Sequence, residues 1–289
     1  MPALIALVGV TAVWGLTFVQ VKHAVAVYPL FPFLALRFGI AVLALAPFAA
    51  GRLRRLGRRG AGAAAVAGAL LAVGYTLQTL GLERTTVSSA GFVTGTYVVL
   101  TPLIASAIFG LAVGARAWAG VALATFGLAV LAGVHGGSAG GELLVLAAAA
   151  VYSLPIVLME RYAPRYDPFG FTLLELLVAF GVLGCLAVPT FTPPHGLTVW
   201  GALLVTGVFA SGLAFLVQTW AQRATSATRT ALVFTFEPVF AALFVVWLAG
   251  DRLGPARWAG CAAIMAGILV AEPACGAALR RLVGVVRPA

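Results

Sequence analysis

Few side chains in this sequence can do chemistry, and most of them lie inside long apolar runs. Lys22 is the only lysine, with His23 beside it. An ammonium at that place either attracts a carboxylate or another anionic group, or snorkels to a membrane surface along its apolar stem. Arg37 stands about six residues into an apolar run, roughly 9 Å along a helix at 1.5 Å per residue. A charge at that depth calls for a structural ion pair, a helix-end contact or a substrate anion. Glu237 precedes Pro238 near the middle of another run. Proline removes one backbone hydrogen bond and frees the carbonyl four residues back, here that of Phe234. The pair therefore offers a kink beside an intramembrane carboxyl: a gate, a proton site, or a Glu that only fixes the kink. Pro102 and Pro155 are further kink or gate candidates. Glu175 reads as a structural hydrogen-bonding group, and Glu160 and Asp167, near Arg161 and Arg165, as solvated loop charges.

Polar and aromatic residues recur at helical spacing. Tyr75, Gln78 and Thr79 fall at i, i+3 and i+4, on one face. Thr94, Tyr97 and Thr101 share another face, Tyr152 stands near Pro155, and Gln218, Thr219 and Gln222 cluster within one turn. Trp14 and Phe18 are i, i+4 and offer stacking surface to an apolar substrate, or packing to a neighbouring helix. A polar face in lipid must turn inward, because exposed hydrogen-bonding groups are costly there. Such faces either line a cavity or join helices.

The elements that must carry these residues follow from composition. Of 289 residues, 62% are hydrophobic and 9% charged, with 34 glycines. A soluble domain is about 25% charged, so an ordinary soluble enzyme, a disordered chain and a disulfide scaffold are excluded. A membrane span needs about 20 apolar residues. The runs are continuous rather than alternating, so the expected fold is an all-α membrane protein and not a barrel. Ten spans are predicted, at about 3–27, 31–50, 62–82, 87–110, 116–134, 141–161, 168–189, 197–221, 226–248 and 256–275. Pro29 and Pro32, the run GRLRRLGRRG at 51–60, Gly136–Gly141, Pro164–Pro168 and residues 192–195 punctuate them. Gly91 with Gly95 and Gly110 with Gly114 have close-packing spacing. Trp200, Trp247 and Trp258 lie near span ends, as an interfacial belt requires.

The net charge of +10 is carried by arginines that flank apolar runs, which argues against nucleic acid as a partner. With the N-terminus inside, the inner segments hold Arg52, Arg54, Arg55, Arg58, Arg59, Arg116, Arg161, Arg165, Arg223, Arg229, Arg280, Arg281 and Arg287, and the outer loops only Arg84, Arg252 and Arg257. The excess of basic residues inside puts both termini in the cytoplasm. Cys185, Cys261 and Cys275 form no CxxC or Cys/His pattern, so neither a disulfide nor zinc is indicated. The N-terminal run lacks a basic leader and reads as a retained helix.

The two halves are alike. A shift of 140 residues carries Gln78-Thr79 onto Gln218-Thr219, Gly110 onto Gly250, Trp118-Ala119-Gly120 onto Trp258-Ala259-Gly260 and Gly127 onto Gly267. Pro102 meets Pro238 only with a shift of 136, one helical turn away. Five spans per half is odd, so two halves in series must be inverted in the membrane, the device of secondary transporters. The expected domains are 1–137 and 141–277, one five-helix repeat each, followed by a basic cytoplasmic tail at 278–289.

The chain resembles the EamA-type transporters of the drug/metabolite transporter superfamily. The resemblance is carried by Trp14-Gly15-x-x-Phe18 with Lys22, Arg37, Gly81-Leu82-x-x-Thr85-Thr86 through Ala90-Gly91-Phe92 to Pro102-Leu103, then Glu237-Pro238-Val239 and Trp258-x-Gly260. It implies ten transmembrane helices, both termini inside, export of small metabolites with amino acids frequent among them, and a central cavity lined by helices 1, 3, 4, 6, 8 and 9. The expectation is a secondary transporter in the inner (plasma) membrane that exports amino acids, aromatic ones included, or related amphipathic compounds by alternating access. A small-molecule substrate and the bilayer are its expected partners, and a monomer suffices for the scheme. No catalytic residue, metal site or cofactor is expected: HExxH and a GK[ST] phosphate loop are absent from the sequence. Nucleotide-linked or phosphorylated cargo, a channel and an intramembrane enzyme are the alternatives.

Overall fold

The structure is a computed structural model that describes residues 2–132, 138–249 and 254–271. Gly250, Arg252, Cys275, Arg280, Arg281, Arg287, Gly136, Gly137 and the tail at 278–289 lie outside the described residues, as does the side chain of Trp247. Everything regular among the described residues is helical. Helix α1 spans Pro2–Val25, α2 Leu30–Ala49, α3 Gly57–Arg84, α4 Val87–Gly95, α5 Tyr97–Phe109 and α6 Ala115–Ala132. Then come α7 at Ala139–Tyr162, α8 at Pro168–Ala187, α9 at Leu197–Leu204, α10 at Ala214–Ala221, α11 at Ala227–Phe234, α12 at Phe236–Ala249 and α13 at Pro255–Ala271. Six helical stretches among the described residues are long and apolar enough to cross a membrane, and Ala115–Val130 and Pro255–Ala271 are shorter apolar helices. The molecule is a multi-pass helical membrane protein.

One of those six stretches, Leu30–Arg84, has 55 residues. At 1.5 Å per residue it would reach about 80 Å if straight, far more than a hydrocarbon core of about 30 Å. The run at 51–60, expected as a plain break, is instead largely helical. Ala50–Leu56 makes 3-10 turns, and Gly57, at φ +61, starts α3 five residues earlier than predicted. Arginine is a good helix former, so charge alone does not stop the helix; the left-handed glycine turns the chain. Both α2 and α3 then pack against α8. Asp167 caps α8 by accepting from the Gly170 N–H at 3.1 Å and pairs with Arg52 at 3.1 Å. Glu160 accepts from the Ala227 N–H at 2.7 Å, at the start of α11. Both acids thus satisfy helix N-termini, rather than standing free in a loop.

Two spans break in the same way. α4 and α5 abut at Thr96, whose Oγ1 donates back to the Val93 carbonyl at 2.6 Å; α11 and α12 abut at Thr235, which does the same to Leu232 at 2.6 Å. Back-bonding of this kind competes with the helix ladder. The break at Thr235 puts Pro238 in the first turn of α12, where proline is tolerated. Pro102 does not make a break: it lies within α5, six residues beyond Thr96. α7 likewise runs uninterrupted through Pro155. The kink expected at each of these two prolines is therefore not an interruption of the helix. A third irregularity was not foreseen. Residues Val205–Leu213, between α9 and α10, form a π-helical stretch.

The tightest helix contacts are not at Gly110 and Gly114. Gly110 ends α5 in the left-handed conformation at φ +62, and nothing lies within 4 Å of a side chain built on Gly114. Glycine instead closes the contact between α6 and α13, which run antiparallel. A Cβ on Gly120 would stand 2.5 Å from the Gly267 carbonyl oxygen, and one on Gly127 would stand 2.7 Å from that of Gly260. Only glycine permits that approach.

Candidate functional site

Between α1, α3, α7, α10 and the broken spans α4–α5 and α11–α12 lies a cavity. The helices stay apart there because their facing residues are bulky. Trp14 contacts Phe234 at 4.9 Å and Phe215 at 5.8 Å between ring centroids; Tyr75 contacts Tyr152 at 5.5 Å and Phe215 at 6.2 Å. Tyr97 reaches Phe234 at 6.2 Å, edge-on. Edge-to-face pairs of this sort stabilise their own geometry beyond simple burial.

The Trp14 indole is held by the π-helical stretch. The Ala214 N–H, which an α-helix would direct to Ala210, instead pairs with the carbonyls of Phe209 and Ser211. The Ala210 carbonyl is thereby released, and Trp14 Nε1 donates to it at 2.8 Å. On the other side of Trp14, Gly15 packs on α12; a Cβ on it would sit 2.7 Å from the Glu237 carbonyl oxygen. So helix irregularity and a missing side chain together seat one aromatic ring in the wall.

Hydrogen bonds order the polar wall. Gln78 donates to Thr94 Oγ1 at 3.0 Å and accepts from the Tyr152 hydroxyl at 3.1 Å. Arg37 is 3% exposed. Its Nε donates to Ser211 Oγ at 2.8 Å, its Nη2 to the Tyr75 hydroxyl at 3.2 Å, and its guanidinium carbon lies 4.5 Å from the Tyr75 ring centre. Glu237 is 8% exposed and accepts from the Tyr97 hydroxyl at 3.4 Å. Gln218 donates to Gln222 at 3.1 Å, and Gln222 donates to the Ile156 carbonyl at 2.8 Å. The buried Gln218 Oε1 has no hydrogen-bond partner among the described residues.

Of the residues singled out in the sequence, Trp14, Phe18, Tyr75, Gln78, Thr79 and Thr94 line this cavity, as do Tyr97, Tyr152 and Gln218. Arg37, Pro155 and Glu237 line it too. Others lie outside the lining. Thr219 accepts from Thr172 at 3.0 Å, joining α10 to α8. Gln222 acts through Gln218 and Ile156. Pro102 and Pro238 are not in the wall. Lys22 donates to the Thr85 carbonyl, which closes the C-terminus of α3; a cation is favoured at that helix end. Glu175 departs from its reading as a hydrogen-bonded group: it is 2% exposed, and its Oε2 has no partner among the described residues.

Phe215, Phe234 and Ser211 were not singled out. A phenylalanine in an apolar helix looks the same whether it faces lipid, a neighbour or a cavity. Spacing carried the usable signal: Phe234 is three residues before Glu237, and Ser211, Phe215, Gln218 and Gln222 form one stripe at helical periodicity.

Comparison with known proteins agrees with this architecture. A protein of Archaeoglobus fulgidus, described as an uncharacterized transporter, is 32% identical over 262 residues, covering 90% of this chain and 82% of its own. A solved crystal structure superposes with a TM-score of 0.78 at 20% identity, over 95% of this chain and 99% of that one, a likeness of fold. The EamA-like transporter family matches residues 1–133 and again 139–271. With both matches together spanning nearly the whole sequence, the chain belongs to the EamA-like transporter family.

Proposed function

We propose that this protein is a secondary transporter that exports small metabolites, amino acids or related amphipathic compounds, by alternating access. The observation that carries this reading is the cavity. Residues from both parts of the chain build its wall, with aromatic rings on most sides and few formal charges. Such a wall suits a small molecule with an apolar body better than a nucleotide-linked or phosphorylated one, which would call for several cations.

The scheme has ten membrane-crossing helices in two inverted halves, 1–137 and 141–277. The pair α6–α13 supports it. The shift of 140 residues equates Gly120 with Gly260 and Gly127 with Gly267, and the contacts are crossed: Gly120 meets Gly267, and Gly127 meets Gly260. Crossed contacts between equivalent residues are what a two-fold axis produces. Since the two helices are antiparallel, that axis lies in the membrane plane, the relation found in inverted repeats. The arginine distribution argues for both termini in the cytoplasm, and the bacterial-type exporter resemblance for the inner membrane.

Counterflow tests the proposal. Proteoliposomes preloaded with unlabelled amino acids should take up the labelled compound faster than empty ones. Flux that never saturates and shows no such acceleration would mark a channel, and a chemically altered product an enzyme.

A further inference from the structure

The charges in the cavity wall suggest how a substrate is held, an inference that rests on the carrier reading above. Arg37 and Glu237 are both buried, and both line the cavity. Among the described residues neither has an opposite charge within 4 Å; the ion pair found there is Arg52–Asp167. A buried charge is costly unless it is paired and hydrogen-bonded. Arg37 is incompletely satisfied: of five N–H donors, one at Nε and one at Nη2 are engaged, by Ser211 and Tyr75. Glu237 receives a single long contact from Tyr97. Each has spare capacity for a partner of opposite sign.

Aromatic rings make up much of the wall that holds the two, beside Thr17, Gln78, Thr79, Thr94 and Gln218. A chain of rings runs from one to the other: Tyr75 against Arg37, then Phe215, Trp14 and Phe234, then Tyr97 against Glu237. The other two intramembrane charges have no such place. Lys22 is engaged by a helix end, and Glu175 is not in the lining.

We propose that Arg37 and Glu237 are the two poles of a site that holds a zwitterion with an aromatic body, carboxylate on Arg37, ammonium on Glu237, ring against the Trp14–Phe215 wall. The guanidinium gives a carboxylate planar, charge-assisted hydrogen bonds. The ammonium has three donors to place, and the Glu237 carboxylate has lone pairs left to take them. Ser211 and Tyr75 position the guanidinium, and Tyr97 positions the carboxylate. A zwitterion neutralises both poles at once. A simple amine or a simple acid leaves one buried charge unanswered, so the site discriminates against each by omission.

The experiment uses the full-length protein in lipid nanodiscs and three probes of one shape: phenylalanine, 3-phenylpropionate without the ammonium, and 2-phenylethylamine without the carboxylate. Wild type should bind phenylalanine about tenfold or more tighter than either analogue. Glu237→Gln, which keeps shape and can still pair with Tyr97, should weaken phenylalanine to the level of phenylpropionate and leave phenylpropionate unchanged or tighter. Arg37→Lys keeps a cation in the wall and should retain binding at about tenfold lower affinity, while Ser211→Ala weakens phenylalanine and phenylpropionate together but not phenylethylamine. If wild type binds phenylethylamine as well as phenylalanine, binds no phenylalanine, or keeps its ranking in Glu237→Gln, the two-pole assignment is overturned. Counterflow with other amino acids persisting in that case leaves the carrier reading standing; its absence for all of them removes that reading separately.

Discussion

The α6–α13 pair and the cavity wall show opposite uses of side-chain volume in one membrane. In the pair, glycine backbones touch, with Gly120 against Gly267 and Gly127 against Gly260, so that no space is left. In the wall, Trp14, Tyr75, Phe215, Phe234 and Tyr97 meet at centroid distances of 4.9–6.2 Å and hold neighbouring helices apart around the cavity. The hydrophobic effect does not distinguish the two places, since lipid tails are as apolar as the side chains. Shape does: small residues close a contact, and rings braced by edge contacts keep a void open. Polar residues serve both places: Gln78, Thr94 and Glu237 face the void, and Thr172 and Thr219 join packed helices away from it.

The contrast can be broken from either side, and the largest effect is expected at the closed one. Gly267→Val should force α6 and α13 apart, since even a Cβ there would lie 2.7 Å from the Gly120 carbonyl oxygen. A loss of about 1–3 kcal/mol or more is expected from overpacking, read as a lower unfolding temperature in detergent and less monodisperse protein. At the open side, Tyr97→Ala and Gln78→Ala should each lower transport by about tenfold while the extracted protein stays folded. Unchanged kinetics in both would remove the α3 and α4–α5 faces from the site.

Smaller effects sharpen the boundary of the wall. Thr219→Val removes the Thr172 hydrogen bond outside the cavity, at a cost of about 1 kcal/mol, and should leave substrate affinity within about twofold. Lys22→Gln should change transport least, because its carbonyl partner on Thr85 can still be met by an amide. A large fall in substrate affinity for Lys22→Gln would place that lysine in the binding site after all.

Local signals were legible where physics is local. Tyr75 and Gln78, three residues apart, do share a wall, and so do Trp14 and Phe18, four apart. Spacing alone does not tell which way Thr219 turns: it meets Thr172 on a neighbouring helix, because a polar residue inside a bundle can turn to a neighbour as readily as to a void. The partner of Lys22 was out of reach for another reason: it is a backbone carbonyl 63 residues away, and a helix end is not visible as an acceptor in a string of residues. Pro102 and Pro155 lie within continuous helices, while the breaks fall at Thr96 and Thr235, whose hydroxyls compete for the backbone.

Taken alone, the sequence determined the class of molecule: a helical membrane protein, with an internal similarity of its halves and a small set of polar faces. That much follows from apolar run length and helical period, which depend only on neighbours along the chain. Which of those faces enclose a cavity was decided by tertiary structure alone. So was the pairing of equivalent glycines across α6 and α13, the π-helical release of the Ala210 carbonyl to Trp14, and the placing of Arg37 and Glu237 in one wall without an ion pair. These depend on where distant helices cross, and crossing is set by shape complementarity summed over many contacts, which no window of sequence contains.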